Sequence, residues 1–412
     1  MRWVLIGYMF LFIHRPFEVW PVLGDLHVER IYMVGALLAL AVYGGKKWIP
    51  NGLHFAFLAF AAAVVLCWVV SPWADKGEET VENHLKVLTF YLLVVLVVHE
   101  ENGLRHLLLG FLAVMAVYML HSLREFLGGR YVYRMSIVRL IGVDQSMGDP
   151  NSFGATIVYA LPFVVPFWLS RPGWPLRLFL AGYVALSFVC VGLTGSRSSF
   201  LGLLLWAGVT ILRSRWRWPL LVLAVLATPA LWAALPPSLQ LRFETIVHPE
   251  VGPANAIASG EGRLVGLETG LELFGKYPIS GIGPGAWRPA TGLEIESHNL
   301  YGQLLGEMGL LGGLTFGAIL LGFWANVRAV RSAYRRHPEW ERDFVYHVAG
   351  AVGFAVFLLL FEGNFGHNLF RYGWLWYGSF LAIARHCVRR REELGPVEDA
   401  GGLPYALAQE SY

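Results

Sequence analysis

The sequence predicts an all-α integral membrane protein with about twelve transmembrane helices and one long external loop that contains an amphipathic helix. Composition is the first observation behind this class. Of the 412 residues, 56% are hydrophobic and only 15% are charged, a balance that ordinary soluble domains do not have. The second observation is that apolar stretches recur along the whole chain, each long enough to cross a hydrocarbon core of ~30 Å as a helix.

The predicted spans follow one another along the chain with loops between them. Their approximate centres are Phe10, Leu37, Val64, Leu93, Val114, Tyr159, Leu186, Leu204, Val225, Thr315, Ala355 and Ser379. This pattern predicts membrane helices one to nine over residues 1–236, an external loop over 237–297, helices ten to twelve over 298–387 and a cytoplasmic tail over 388–412.

Lysine and arginine are concentrated in alternate loops. The cationic residues of these loops are Lys46, Lys47, Arg105, Arg171, Arg177, Arg213, Arg215, Arg217, the cluster from Arg328 to Arg342, Arg385 and Arg389 to Arg391. Because cytoplasmic loops carry such an excess, both termini are predicted to be cytoplasmic and the other loops external or periplasmic. The net charge of +3 therefore follows from topology and does not indicate a nucleic-acid partner.

The long loop contains the segment "GRLVGLETGLELFGKYP", which has the spacing of an amphipathic helix. Leu264, Leu267, Leu271 and Phe274 recur every three or four residues, with charged residues between them. This pattern predicts a helix that lies on the membrane surface and has Arg263 at its start. The following "SGIGPGAW" lacks the preceding strand and the Lys-Ser/Thr of a phosphate loop, so it is predicted to be a turn.

Arg197 lies within "LTGSRSSF", at an external helix boundary. An arginine in such a place often extends to the lipid headgroups. Here glycine and serine neighbours reduce the steric bulk around the guanidinium and add hydrogen-bond donors, as an oxyanion site requires. Headgroup contact and a functional anion contact therefore both remain open interpretations of Arg197.

His298 precedes an apolar helix in "ESHNLYGQLLGEMGLLGG". An interfacial histidine satisfied by water is one interpretation. The alternative is a general base, because the positive end of a helix dipole favours the neutral imidazole. Ser297 is predicted to cap this helix, and Asn299 is a possible supporting residue. Glu307 lies two and a half turns further on, so we expect it to form an ion pair with an arginine below the site.

Two other external segments carry polar residues. In "MGDPNSFG", Asp149 and Asn151 are predicted to cap the sixth span or to orient a sugar or an arginine. In "GHNLFRYGW", His367 and Arg371 lie at the external start of span twelve. His367 is therefore the alternative to His298 as a base, with Arg371 as its neighbour.

Four motifs together resemble the O-antigen ligase and polymerase superfamily of bacterial membrane glycosyltransferases. They are "GDPNSFGATIVYALP", "LTGSRSSFLGL", "GRLVGLETGLELFGKYPISGIGPGAW" and "SHNLYGQLLGEMGLLGG". They occur in the order of the family, over roughly residues 140 to 325. The predicted topology of about twelve spans with one long external loop also resembles this family.

The resemblance implies transfer of a glycan from an undecaprenyl diphosphate carrier to an acceptor hydroxyl at the periplasmic or external face of the bacterial inner membrane. It implies inversion at the sugar and no metal, cofactor or nucleotide sugar. By motif, Arg197 and Arg263 would bind the diphosphate and His298 would activate the acceptor. The acceptor could be another glycan, a lipid A core or a protein side chain, and membrane lipids would surround the site.

Two other functions are alternatives to glycan transfer. A transporter of a small polar or anionic solute would have broken helices at the bilayer midplane and two matching halves, whereas the polar residues here gather near one boundary. A glycoside hydrolase would use Glu294 and Glu296, but two carboxylates so close on a loop do not define a fixed acid and base separation.

Overall fold

The computed structural model describes residues 1–134, 137–144, 148–248, 254–293 and 295–394, and this part of the chain is mainly helical. The helices of the N-terminal part are α1 (Arg2–His14), α2 (Pro16–Val19), α3 (Pro21–Asp25), α4 (Val28–Val42), α5 (Gly52–Val69), α6 (Ala74–Val97), α7 (Glu101–Leu127), α8 (Pro150–Ala160) and α9 (Val164–Leu169). Those of the C-terminal part are α10 (Trp174–Thr194), α11 (Arg197–Arg213), α12 (Arg217–Ala234), α13 (Pro237–Glu244), α14 (Ala254–Lys276), α15 (Trp287–Thr291), α16 (Leu300–Arg336), α17 (Phe344–Gly363) and α18 (Gly373–Leu394).

A short antiparallel hairpin interrupts the helices and was not predicted. Its strands are β1 (Val132–Arg134) and β2 (Ile137–Arg139), with Val132 opposite Arg139. The hairpin lies between α7 and α8, so it occupies the same end of the bundle as the start of α8. A 3-10 turn, Leu161–Phe163, joins α8 to α9.

Eight helical segments within the described residues are long and apolar enough to cross a membrane. They are Gly52–Val69, Ala74–Val97, Glu101–Leu127, Pro150–Leu169, Trp174–Thr194, Arg217–Ala234, Leu300–Arg336 and Phe344–Gly363. Helices also form at the other four predicted centres, but α1, α4 and α11 have only 13, 15 and 17 residues and α18 ends in a charged segment. The all-α membrane class is confirmed, whereas the count of twelve spans remains a prediction.

Helix α16 is longer than a bilayer requires. Its 37 residues span about 55 Å at ~1.5 Å per residue, whereas a hydrocarbon core is ~30 Å thick. The helix is interrupted at Gly309, whose φ of 58° and ψ of −150° are not helical. A glycine can adopt this left-handed φ without steric cost, which explains why the break occurs at this residue.

The turn that follows α14 fills this break. Leu310 N donates to Pro278 O at 2.9 Å, and Ile282 N donates to Gly306 O at 2.9 Å. Backbone groups freed by the interruption are therefore satisfied by another part of the chain, as a non-aqueous environment demands. The glycine-rich "SGIGPGAW" segment is thus an ordered turn, in agreement with its prediction as a turn.

Helix α14 packs along the first turns of α16 through glycines. A methyl group at Gly270 would overlap the carbonyl oxygen of Gly302, and one at Gly302 would overlap that of Gly266. Such small-residue faces allow two helix backbones to approach closely. The leucine face of α14 points away from this contact, since Leu264 and Leu271 are 64% and 49% exposed.

Charged residues at the ends of α7, α16, α17 and α18 meet at the other end of the bundle. Arg391 Nη2 lies 2.7 Å from Asp343 Oδ2 and 3.7 Å from Glu101 Oε2. Arg336 Nη2 lies 2.6 Å from Glu392 Oε1. The arginine-rich loops at the ends of these helices therefore share one end of the bundle, and the assignment of that end to the cytoplasm stays a prediction.

Candidate functional site

A cavity of about 350 Å³ opens at the end of the bundle where α8, α11 and α16 begin and α17 ends. Guanidinium groups dominate the described residues that line it. The arginines of the lining are Arg134, Arg139, Arg197, Arg242, Arg263, Arg288 and Arg371. Its acidic residues are Asp149, Glu296 and Glu362, so the cavity is strongly cationic.

Arg197 is the first residue of α11 and follows a tight turn. Gly195 ends α10 with a φ of 58°, and the Ser196 side chain accepts from Ser199 N to cap α11. Arg197 Nη1 donates to Thr245 Oγ1 at 3.2 Å. The sequence prediction of an arginine with small neighbours at a helix boundary is therefore matched by a half-buried guanidinium at a helix N-terminus.

The hairpin places Arg139 against the same turn. Its Nε donates to Thr194 O at 2.6 Å, and its Nη2 donates to Asn151 Oδ1 at 2.8 Å. Burial lowers the pKa of Arg139 to about 10. Asn151 thus orients an arginine, which is one of its predicted roles.

Asp149 has the predicted role of a helix cap. Its carboxylate accepts from Asn151 N at 3.0 Å and from Ser152 N at 3.3 Å, at the start of α8. The Ser152 hydroxyl also accepts a hydrogen bond from Arg371 Nη2. The loop before α18 is therefore tied to the start of α8 across the cavity.

Arg263 reaches the cavity from α14. Its guanidinium carbon lies 5.1 Å from the centre of the Phe365 ring, within the range of a cation–π contact. Burial, and secondarily the charge of Arg197, lowers the pKa of Arg263 to about 10. Arg197 and Arg263 therefore share one cavity although they belong to helices far apart in the chain.

His298 and His367 face each other across the cavity, with ring centroids 5.7 Å apart. Neither ring nitrogen of His298 bonds to a described residue. Burial, followed by the charge of Arg263, lowers the pKa of His298. Burial, followed by Arg371, lowers the pKa of His367 to about 4. Both candidate bases are thus held in the neutral form that accepts a proton.

The predicted cap of α16 is wrong by two residues. Asn299, not Ser297, is the cap, since its side-chain oxygen accepts from Tyr301 N at 2.9 Å and Gly302 N at 3.0 Å. The Ser297 hydroxyl instead donates to Asn299 O at 3.0 Å. His298 is therefore fixed between a buried serine and the helix cap, outside the helix itself.

The expected ion pair of Glu307 is also wrong. Its side chain accepts from Gly285 N at 3.2 Å and from Gln303 Nε2 at 3.4 Å, and no described arginine forms an ion pair with it. Glu307 is fully buried and does not line the cavity. Its Oε2 joins the glycine-rich turn to α16 through these hydrogen bonds, whereas its Oε1 has no hydrogen-bond partner among the described residues.

Several lining residues escaped prediction. Arg134 and Arg139 lie in "RMSIVRL", whose strand pattern is weak. Arg242 lies in a short helix without a distinctive motif. Glu362 is buried near the end of α17, where Ser199 Oγ donates to its Oε2 at 3.4 Å. The sequence feature that could have indicated Glu362 is its position as a polar residue within an apolar span.

Glu294 and Glu296 are the two carboxylates that a glycoside hydrolase would use. Glu296 Oε1 lies 2.8 Å from Arg288 Nε, in an ion pair at the rim of the cavity. Burial raises the pKa of Glu296, and Arg288 opposes this shift. Glu294 lies outside the described residues. Glu296 is thus engaged with an arginine.

Residues 182–317, about one third of the chain, match the family model described as O-antigen ligase. The matched segment contains Arg197, Arg263 and His298. No curated protein matches the chain. The match confirms the resemblance found in the motifs, and it is to this family that residues 182–317 are similar.

Proposed function

We propose that the protein transfers a glycan from an undecaprenyl diphosphate carrier to an acceptor hydroxyl. The observation that carries this proposal is the convergence of Arg197, Arg263 and His298 on one cationic cavity. The lipid diphosphate supplies an anion that such a cavity can bind, and a neutral histidine supplies the base that a hydroxyl acceptor needs.

The proposed reaction is an in-line substitution at the anomeric carbon, with inversion. The acceptor oxygen forms a bond to this carbon while the bond between the carbon and the phosphate oxygen breaks. His298 takes the acceptor proton, and the electron pair of the broken bond stays on the leaving diphosphate. In this proposal Arg197 and Arg263 supply the positive charge that the leaving group requires, in a cleft where such charge acts strongly.

Orientation and acceptor belong to the same proposal. The cavity end of the bundle would face the periplasm or the exterior of a bacterial inner membrane, with both termini in the cytoplasm. In a Cys387→Ser background, an external thiol reagent should label Leu293→Cys and spare Arg215→Cys, and reversed labelling would refute this orientation. The acceptor would be a lipid A core, a growing polysaccharide or a protein side chain.

The break of α16 at Gly309 is the observation that favours a transporter. Its freed backbone groups bond to the turn after α14, however, and Gly309 does not line the described cavity. A solute path would expose such groups to the solute. Glycan transfer therefore accounts for the site better than transport does.

Donor binding tests the proposal directly. Arg197→Ala and Arg263→Ala should each weaken binding of an undecaprenyl diphosphate-linked glycan by roughly 10- to 100-fold, since each removes charged hydrogen bonds. The lysine variants should recover only part of the affinity, because the two-pronged guanidinium is lost. Arg331→Ala, at the other end of the bundle, is the matched control. Wild-type affinity in both Arg197→Ala and Arg263→Ala would place the donor elsewhere.

A further inference from the structure

Arg242 is a buried guanidinium whose hydrogen-bond donors are only partly satisfied by the described residues. It lies on α13 and is 6% exposed, and its Nε donates to Gly195 O at 3.4 Å. Its Nη1 has no hydrogen-bond partner among the described residues, which contain no ion pair to Arg242. A buried charged donor left unsatisfied is costly, so its retention in the cavity wall indicates an anionic partner.

The surroundings of Arg242 carry the positive charge that an oxyanion subsite requires. Arg139 bonds to Thr194 O and Arg242 to Gly195 O, so both guanidinium groups lie at the turn between α10 and α11. This turn also precedes the N-terminus of α11, where the helix dipole is positive, although the Ser196 side chain already accepts from Ser199 N. Arg242 also faces Arg197, and these like charges repel one another unless an anion lies between them.

The cavity therefore has two ends. Arg139, Arg197 and Arg242 surround the turn between α10 and α11, whereas His298 and His367 lie together at the loops before α16 and after α17. Burial, followed by the charges of Arg197 and Arg139, lowers the pKa of Arg242 to about 9, as expected for a buried guanidinium among other arginines.

An in-line substitution places the base and the leaving group on opposite sides of the anomeric carbon. We propose that Arg242 binds the phosphate that is bonded to the sugar in the donor and leaves with the lipid carrier. We further propose that it binds this phosphate more tightly after transfer than before. The inference rests on the proposed function. As the anomeric bond breaks, its electron pair stays on the oxygen of the sugar-linked phosphate and the acceptor proton passes to His298. This phosphate carries one negative charge in the donor, and it becomes the terminal phosphate of undecaprenyl diphosphate, which can carry two.

The test compares product with donor in Arg242→Gln and Arg242→Lys. Arg242→Gln should bind undecaprenyl diphosphate about 10- to 100-fold more weakly than the wild type, as expected for the loss of a charged hydrogen bond. Its affinity for the intact lipid-linked glycan should change several-fold less, and its kcat should fall with little change in KM. Arg242→Lys should be intermediate. The melting temperature of each variant is measured as well, because a merely structural defect would lower it and would weaken the binding of both ligands equally.

The outcomes separate this inference from the function on which it rests. Failure of the wild type to bind undecaprenyl diphosphate would refute the proposed function. Binding by the wild type and equally by Arg242→Gln, or an equal loss for donor and product, would refute the role of Arg242 alone. If neither variant folds, the affinity of the wild type for undecaprenyl diphosphate is compared with its affinity for the methyl ester of the terminal phosphate of this lipid. The inference requires at least about tenfold tighter binding of the free phosphate, and equal affinity would overturn it.

Discussion

The imidazole rings of His298 and His367 lie 5.7 Å apart, at an interplanar angle of 37°, although two long helices separate them in the chain. His298 precedes α16 and His367 follows α17. Because α16 and α17 run in opposite directions, the start of one and the end of the other share the same end of the bundle. The two candidate bases are therefore parts of one site.

Alanine substitution distinguishes the two histidines. We expect His298→Ala to lower the transfer rate by about 10²- to 10⁴-fold, the usual contribution of a general base, while donor binding and folding remain intact. His367→Ala should have a milder effect, because in the proposed reaction His298 takes the acceptor proton. Transfer is measured on purified protein with lipid-linked donor, and melting temperature is the control. Near-normal turnover in His298→Ala together with an inactive His367→Ala would assign the base to His367.

The pH dependence of kcat/KM gives a second prediction. The base must be neutral, and burial and Arg263 lower the pKa of His298 from its ordinary value of 6.5. The acid limb of the profile should therefore be centred below pH 6.5, and activity should be lost as the pH falls through the lowered pKa of His298. The measurement is initial rates from pH 4.5 to about pH 8 at subsaturating donor. An acid limb centred at or above pH 6.5 contradicts a buried neutral histidine as the base.

The glycine contact between α14 and α16 gives a third prediction. Gly270→Ala would force its new methyl group into the Gly302 backbone, so it should destabilise the protein by about 1–3 kcal/mol and displace Arg263 from the cavity. Gly275→Ala, in the same helix, meets no atom within 4 Å and is the matched control. It should be neutral or slightly stabilising. Melting temperature and donor affinity are measured for both, and equal behaviour of the two variants would exclude a positioning role for this contact.

The sequence was informative where a residue has a local signature. Periodicity predicted the helices that carry Arg197 and Arg263, and small neighbours or a helix start marked Arg197 and His298. Arg139 and Arg242 left no such signal, because a three-residue strand and an eight-residue helix are too short for a periodic pattern.

Partners of buried groups were also beyond local pattern. Glu307 was expected to pair with an arginine, but its partners are Gly285 N and Gln303. A backbone amide has no side chain that a sequence could reveal, and the contact exists only because the turn after α14 folds into the break of α16. Long-range backbone pairing therefore set the limit of prediction at this residue.

Glu307 gives the last prediction, because a structural and a chemical role require opposite results. Glu307→Gln keeps an oxygen that can accept from Gly285 N and removes a buried charge, so stability and transfer should remain close to those of the wild type. Glu307→Leu leaves this amide without an acceptor and should cost about 1–3 kcal/mol. Unfolding in denaturant and the transfer rate are measured for both variants. An inactive Glu307→Gln of unchanged stability would show that the carboxylate takes part in the reaction, against the role that its hydrogen bonds indicate.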